Sequence, residues 1–577
     1  MKSFQFILAL IFVSSAFAQQ LTTRYEQSGF TETATYDEAL AFYQLLDQQS
    51  DFINIQEHGT TDIGLPLHLI TLDIDGLSDP AEIHAAGRAI FFINNAIHPG
   101  EPDGVSASQM FLRELAQKQD QYPVLEKVSL AVIPFYNIGG VLNRNATTRA
   151  NQNGPKEYGF RGNARHFDLN RDFIKTDTRN ARSFQQIFQY LDPDLFLDTH
   201  VSNGADYPYV MTLDYTQKDK LGGELGQFLD EVLMPFCYEK MEEKGVPTSP
   251  YVNVHGPTPD KGWDQFMDWP RYSSGYAALF HTIGFMSETH MLKSYQQRVE
   301  GTYAFMHTLL EFLDENGDDL LRNRAKAKER IATAEEFEIS WKADKNNPTM
   351  LDFRGYTAEY PVSRISGKPR LKYNQDKPWT KTIPYYDNWE ADIIVKAPTA
   401  YIIPQQWSEV IDLLKNNGVE VETMIEDKEL EVEYYMIDDY QTLKNPYEGH
   451  YKHYDVTTSA KVGSIKFRKG DAIVNLNQWR NRFVVECLEP SAPDSYFAWN
   501  FFDAILQQKE YFSPYIFEET AEELLMKDDE LKQSFEQKKA ADSAFAENAM
   551  WQLYYIYQRS PHREPEYLRY PVFRLME

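Results

Sequence analysis

The feature that most constrains this chain is the run Ala89-Ile90-Phe91-Phe92-Ile93, which passes through Asn94-Asn95-Ala96-Ile97 to His98-Pro99-Gly100-Glu101. A continuous apolar run that ends at a turn suits a strand buried on both faces, as inside a parallel sheet. Ligands of such sheets collect beyond the carboxyl ends of the strands. Pro99-Gly100 turns the chain at that edge, so His98 and Glu101 can leave it together, as two ligands of one metal must.

The pattern recurs. Val128 to Phe135 is a second apolar run, Leu195-Phe196-Leu197 leads into Asp198-Thr199-His200, and Ile283 to Met286 leads into Ser287-Glu288-Thr289-His290. Leu65 to Leu77 alternates and reads as a strand near a sheet edge. Helical spacing fills the intervals: Tyr36 to Gln49, Val105 to Leu115 behind Pro102, Phe184 to Leu191, Gln217 to Lys244, Gln296 to Phe312, and a charged stretch from Asp318 to Glu338. This alternation predicts an α/β domain with a mainly parallel sheet. Asn137 to Asp168 lacks periodicity and carries Arg144, Arg149, Arg161 and Arg165. A loop that long inside a compact domain is functional or disordered. It ends at Asp168-Leu169-Asn170-Arg171-Asp172.

A net charge of −29 excludes a nucleic-acid partner, because binding phosphate needs clustered cations. Cys237 and Cys487 are too few for a disulfide framework, and two free thiols or one bridge stay open. Met1-Lys2, the apolar Phe6 to Val13 and Ala16-Phe17-Ala18 form a signal-peptide pattern over residues 1–18. Export to the periplasm or the extracellular space is expected, with no transmembrane segment. Prolines punctuate the chain after Ser340. The expected division is therefore a domain at 19–340, a strand-rich seam at 341–390 and an α+β accessory domain at 391–577, β-like from Glu431 to Val485 and helical after Pro490.

Two imidazoles and a carboxylate, His98, Glu101 and His200, suit zinc with one position left open. Glu288, if it faces the metal's water, can act as general base. Arg171, fixed by Asn170, can grip a carboxylate, and an arginine of the long loop can stabilise an oxyanion. His166, His290, Asp194 and Asp198 are placed to hydrogen-bond a ligand histidine. His450-x-x-His453 reads as a surface loop.

In order and spacing, His98-Pro99-Gly100-Glu101, Asn170-Arg171, His200 and Glu288 resemble the zinc metallocarboxypeptidase family of carboxypeptidase A-like peptidases, over roughly residues 25 to 325. The resemblance implies an eight-stranded mixed sheet flanked by helices and one zinc ion per chain on His98, Glu101 and His200. It implies a zinc-activated water, with Glu288 as base, attacking the last bond of a peptide whose free C-terminal carboxylate Asn170 and Arg171 hold. It also implies an oxyanion arginine, for which Arg149 fits best with Arg144 as neighbour, and a mobile tyrosine, for which Tyr272 competes with Tyr276. A zinc amide hydrolase acting on cell-wall peptides or acylated amino acids would share most of this set. A non-catalytic peptide- or glycan-binding relative would share the cleft. The chain has neither the G-x-S-x-G elbow of a serine hydrolase nor the H-E-x-x-H helix of a zincin.

Overall fold

The computed structural model describes residues 21–254 and 258–576; the expected signal peptide lies outside the described residues. Apolar runs build the central sheet from β1 (Ile53–His58), β2 (Leu67–Leu72), β3 (Ala89–Asn94), β4 (Val128–Ile133), β5 (Leu195–Ser202), β6 (Met211–Tyr215) and β7 (Thr248–Pro250). After the short β8 (Trp263–Asp264), which lies outside this sheet, β9 (Ile283–His290) completes it. The strand order is β1-β2-β4-β3-β5-β9-β6-β7. The pairs β4-β3, β3-β5, β5-β9 and β6-β7 are parallel. The pairs β1-β2, β2-β4 and β9-β6 are antiparallel. The sheet is thus mixed and mainly parallel, with eight strands. Every residue of β3, β4 and β5 is buried, as coverage on both faces requires. β2 lies one strand in from the edge, with β1 covering it.

Helices supply that cover, and their ends follow capping chemistry. Thr35 and Glu38 form a reciprocal capping box on Tyr36–Gln49, and Ser294 and Gln297 form one on Tyr295–Ala332. Tyr295–Ala332 is 38 residues long where two separate helical stretches were expected. Gly317 does not break it, because an interior glycine costs only about 1 kcal/mol while Phe312, Leu313 and Leu320 bury one stripe across the gap. The reverse holds at Gln217 to Lys244. There Gly222 (φ +64°) ends a first short helix, and a wide π-turn at Leu229–Leu233 precedes Met234–Glu243. Pro235, with no N–H to donate, explains the break.

Beyond residue 332 the chain is β-rich. β10 (Glu336–Ala343) pairs with β13 (Trp389–Lys396), and β11 (Thr349–Glu359) pairs with β12 (Lys372–Tyr386), whose end runs parallel to β8. β14 (Ala400–Ile403), β15 (Glu422–Thr423), β16 (Lys428–Thr442), β17 (His453–Phe467), β18 (Ala472–Asn475) and β19 (Phe573–Leu575) form a second sheet in the order β15-β18-β14-β19-β16-β17. The expected β pattern up to Val485 stops at Asn475. Asn481–Leu488 is a helix buried along its whole length, and complete burial hides the helical period.

One apolar core passes from the first sheet into the second. It takes in Phe92, Phe184, Tyr276 and Phe280 together with Tyr401, Phe483, Cys487 and Trp499. Phe280 stacks on Phe483 with ring centroids 5.2 Å apart, and Tyr276 Oη donates to Asn417 Oδ1 at 2.6 Å. Cys237 belongs to a different core, on the other face of the central sheet, and both thiols are buried and free. Among the described residues no helix is long and apolar enough to cross a membrane.

Candidate active site

His98 and Glu101 stand at the end of β3, joined by the hydrogen bond from Glu101 N to His98 O at 2.8 Å. A Cβ at Gly100 would lie 2.7 Å from Arg149 Cδ, so glycine here lets that arginine pack against the turn. His200 comes off the end of β5, and the register of the parallel pair sets Glu288 of β9 directly beside it. Ligand atoms of His98, Glu101 and His200 all lie within 4.8 Å of one another. Glu101 Oε2 is 3.4 Å from His98 Nδ1 and 3.2 Å from His200 Nδ1. The opposite ring nitrogens are held by carboxylates: His98 Nε2 lies 2.8 Å from Asp168 Oδ1, and His200 Nε2 lies 3.1 Å from Asp198 Oδ2. These two contacts turn both Nδ1 atoms toward Glu101 and favour the tautomer that can ligate a metal. The donor set therefore fits zinc.

Charges are balanced around this cluster. Burial works against an ionised Glu101, yet Arg149, His98 and His200 hold its carboxyl well below the ordinary range. Burial likewise opposes charge on His200, and Asp198 beside it raises the imidazole well above its usual value. A metal ion would take that proton's place. Loss of solvent pushes Glu288 up to about 7, Glu101 adding to the rise while His200 and Arg149 oppose it.

A cleft of about 300 Å³ joins these groups to the remaining candidates. Its lining includes all eight residues singled out from the sequence: His98, Glu101, Arg149, Asn170, Arg171, His200, Tyr272 and Glu288. Asn170 and Arg171 lie in a single tight turn after Asp168. Asn170 Oδ1 accepts from Ser273 N at 3.0 Å, which ties the turn to the segment carrying Tyr272. The Arg171 guanidinium lies 4.5 Å above the Tyr272 ring. Tyr276, the competing tyrosine, is buried in the core and bonded to Asn417. Arg149 Nη1 meets Glu101 Oε1 at 2.6 Å and its Nη2 donates to Val201 O at 2.8 Å. Arg144 points elsewhere, to the carbonyls of Thr33, Ala34 and Glu157.

Several placements differ from the sequence reading. Asp168, not His166, is the group that holds His98; His166 is exposed and stacks on Phe160. His290 bonds to Ala205 O, and Asp194 to Ile90 N and Arg324, so neither touches a ligand. Arg161 also lines the cleft, with Nη2 2.8 Å from Asp168 Oδ2 and Nη1 3.5 Å from Glu101 Oε1. Its place in the arginine-bearing loop was the available signal. Asp214 lines the cleft from β6, and nothing in its local sequence marks it. His453 is buried, bonded to Thr442 and Asp503, and His450 lies 2.8 Å from Asp177 Oδ2. His450 is thus a structural contact to the active-site half and His453 one within the C-terminal half, rather than parts of a solvated surface loop.

Residues 40–239 match the family model described as zinc carboxypeptidase. That stretch is a zinc carboxypeptidase-like metallopeptidase domain. The chain is 20% identical over 443 residues to "Carboxypeptidase 2" of Trichophyton rubrum, an alignment covering 73% of this chain and 75% of the relative. Among solved structures it is similar to a metallo-carboxypeptidase from Burkholderia cenocepacia, at 17% identity, over 49% of this chain and 70% of that one, with a TM-score of 0.36. It is also similar to carboxypeptidase A from Helicoverpa armigera, at 12% identity, over 51% and 74% of the two chains, with a TM-score of 0.38.

Proposed function

We propose that this metallopeptidase is exported and removes the C-terminal residue of peptides. The observation that carries the reading is one cleft holding a His-Glu-His cluster, a carboxylate beside it and a guanidinium with an open edge. One zinc ion per chain, held by His98, Glu101 and His200, supplies Lewis acidity to this cleft when bound. The protein's own residues do the rest. Glu288, near neutrality, takes a proton from the attacking water and passes it to the departing amine. Arg149, with Arg161 beside it, presents N–H groups to the carbonyl oxygen as charge develops there. Arg171 receives the terminal carboxylate through paired N–H donors, with Asn170 alongside, and so sets the register at the last peptide bond. Tyr272 lies under the guanidinium and closes that side of the cleft.

The test is a comparison of free-acid and amidated peptides of one sequence. The wild type is expected to cut only the free acid; Arg171→Ala is expected to lose that activity, and Glu288→Gln to lower kcat by about 10²- to 10⁴-fold with zinc content unchanged. Equal cleavage of free and amidated peptides by wild type and Arg171→Ala would assign the site to an amide hydrolase instead. Bound zinc without turnover in wild type and Glu288→Gln would assign it to binding.

A further inference from the structure

The loop joining β16 to β17 reaches into the active-site half of the molecule. Its tip, Tyr447-Glu448-Gly449-His450, is closed by hydrogen bonds from Tyr447 N to His450 O at 2.8 Å and from His450 N to Tyr447 O at 3.1 Å. Glu448 and Gly449 have φ of +48° and +83°, the left-handed pair of a type I′ turn. A Cβ on Gly449 would lie 2.9 Å from Phe167 Cε1, so only glycine lets the tip press this closely on the segment carrying Asn170 and Arg171.

Three side chains of the tip grip that segment. Glu448 Oε2 accepts from Asp168 N at 2.8 Å, and His450 Nε2 lies 2.8 Å from Asp177 Oδ2. The Tyr447 hydroxyl lies beside the Arg171 guanidinium, close enough to favour its charge. Tyr447 is itself held, its ring stacked on Trp499 with centroids 6.0 Å apart and 17° between planes. Arg171 also donates from Nη1 to Asn170 O at 2.7 Å. A guanidinium has five N–H donors in a rigid fork. With one on Asn170 O, the Tyr447 hydroxyl beside it and the plane resting on Tyr272, the remaining edge is the one left to meet an anion.

We propose that Tyr447 is a positioning residue for the substrate's carboxylate: it fixes the plane of Arg171 from the C-terminal half of the chain, making that half part of the peptide-binding site. The proposal rests on the reading of Arg171 as the carboxylate clamp. Tyr447→Phe keeps the ring on Trp499 and removes only the hydroxyl. For a peptide with a free carboxylate, KM is expected to rise about 5- to 10-fold, the inhibition constant of the released free amino acid to rise by the same factor, and kcat to change less than about 2-fold. Unchanged KM and inhibition constant in Tyr447→Phe, alongside a large rise of both in Arg171→Ala, would overturn the positioning role and leave the clamp standing. A fall in kcat with KM and the inhibition constant unmoved would overturn it as well. If Arg171→Ala moves neither constant, the clamp reading fails and the role of Tyr447 fails with it.

Discussion

Asp214 is buried in the cleft wall, accepts a hydrogen bond from Tyr215 N at 3.0 Å, and among the described residues forms no ion pair. Burial, with Asp268 and Glu288 adding, holds its carboxyl well above the ordinary value. Asp268 differs, being paired with Lys220 at 2.8 Å. A buried carboxyl facing a substrate cleft without a cation of its own is a place for a cationic side chain, which would ionise it and gain a charge-assisted bond. Asp214→Asn is therefore expected to lower kcat/KM for peptides ending in Lys or Arg by about 10- to 100-fold relative to peptides ending in Phe, checked by competition between the two in one digest. Glu288 shows the same physics put to another use. Its surroundings raise it only as far as about 7, close to where a proton can be taken and returned.

The elements that carry the candidate groups were legible because each apolar run stops where a polar group must begin. β3 ends before His98, β5 carries His200 and β9 carries Glu288, and sheet register does the remaining work by setting His200 beside Glu288. What could not be read was contact between distant segments. Asp168 holds His98 across a separation of 70 residues, and Tyr447, Glu448, Gly449 and His450 have the composition of a solvated turn until Phe167 is seen pressed against them. The junction of the two halves also hides a titrating group. His281, in the left-handed region at φ +59°, bonds through Nε2 to Trp479 O at 2.9 Å, and burial lowers its pKa to about 3. Because the folded value lies below the unfolded one of about 6.5, its contribution is fully present above pH 6.5 and is lost as pH falls toward 3. At pH 5 the loss is about 2 kcal/mol. Urea denaturation at pH 7 and pH 5 should show His281→Gln losing less stability across that interval than the wild type by about this amount.

At the scale of the whole molecule, the C-terminal half is joined to the active-site half by a shared core and by charge. Phe280 packs on Phe483, Arg271 Nε bonds to Asp494 Oδ2 at 3.0 Å, and Arg271 lies against the rings of Tyr272, Tyr447 and Trp499. A fragment ending near residue 340 would expose the apolar face around Tyr276 and Phe280 to water and leave Arg271 without its buried partner. Such a fragment is expected to aggregate or to lack a near-UV circular dichroism signal, whereas the full chain should unfold with its two halves in one transition followed by tryptophan fluorescence and zinc release together. The turn at 447–450 also sets an order of events during synthesis. Asp168 and Glu448 are 280 residues apart in the chain, so a ribosome must finish most of the protein before the hydroxyl that steadies Arg171 exists. Contacts this distant in sequence close late in folding. A peptidase assembled in this way completes its substrate grip only after its own nascent chain has largely been made, a delay that works as a safeguard.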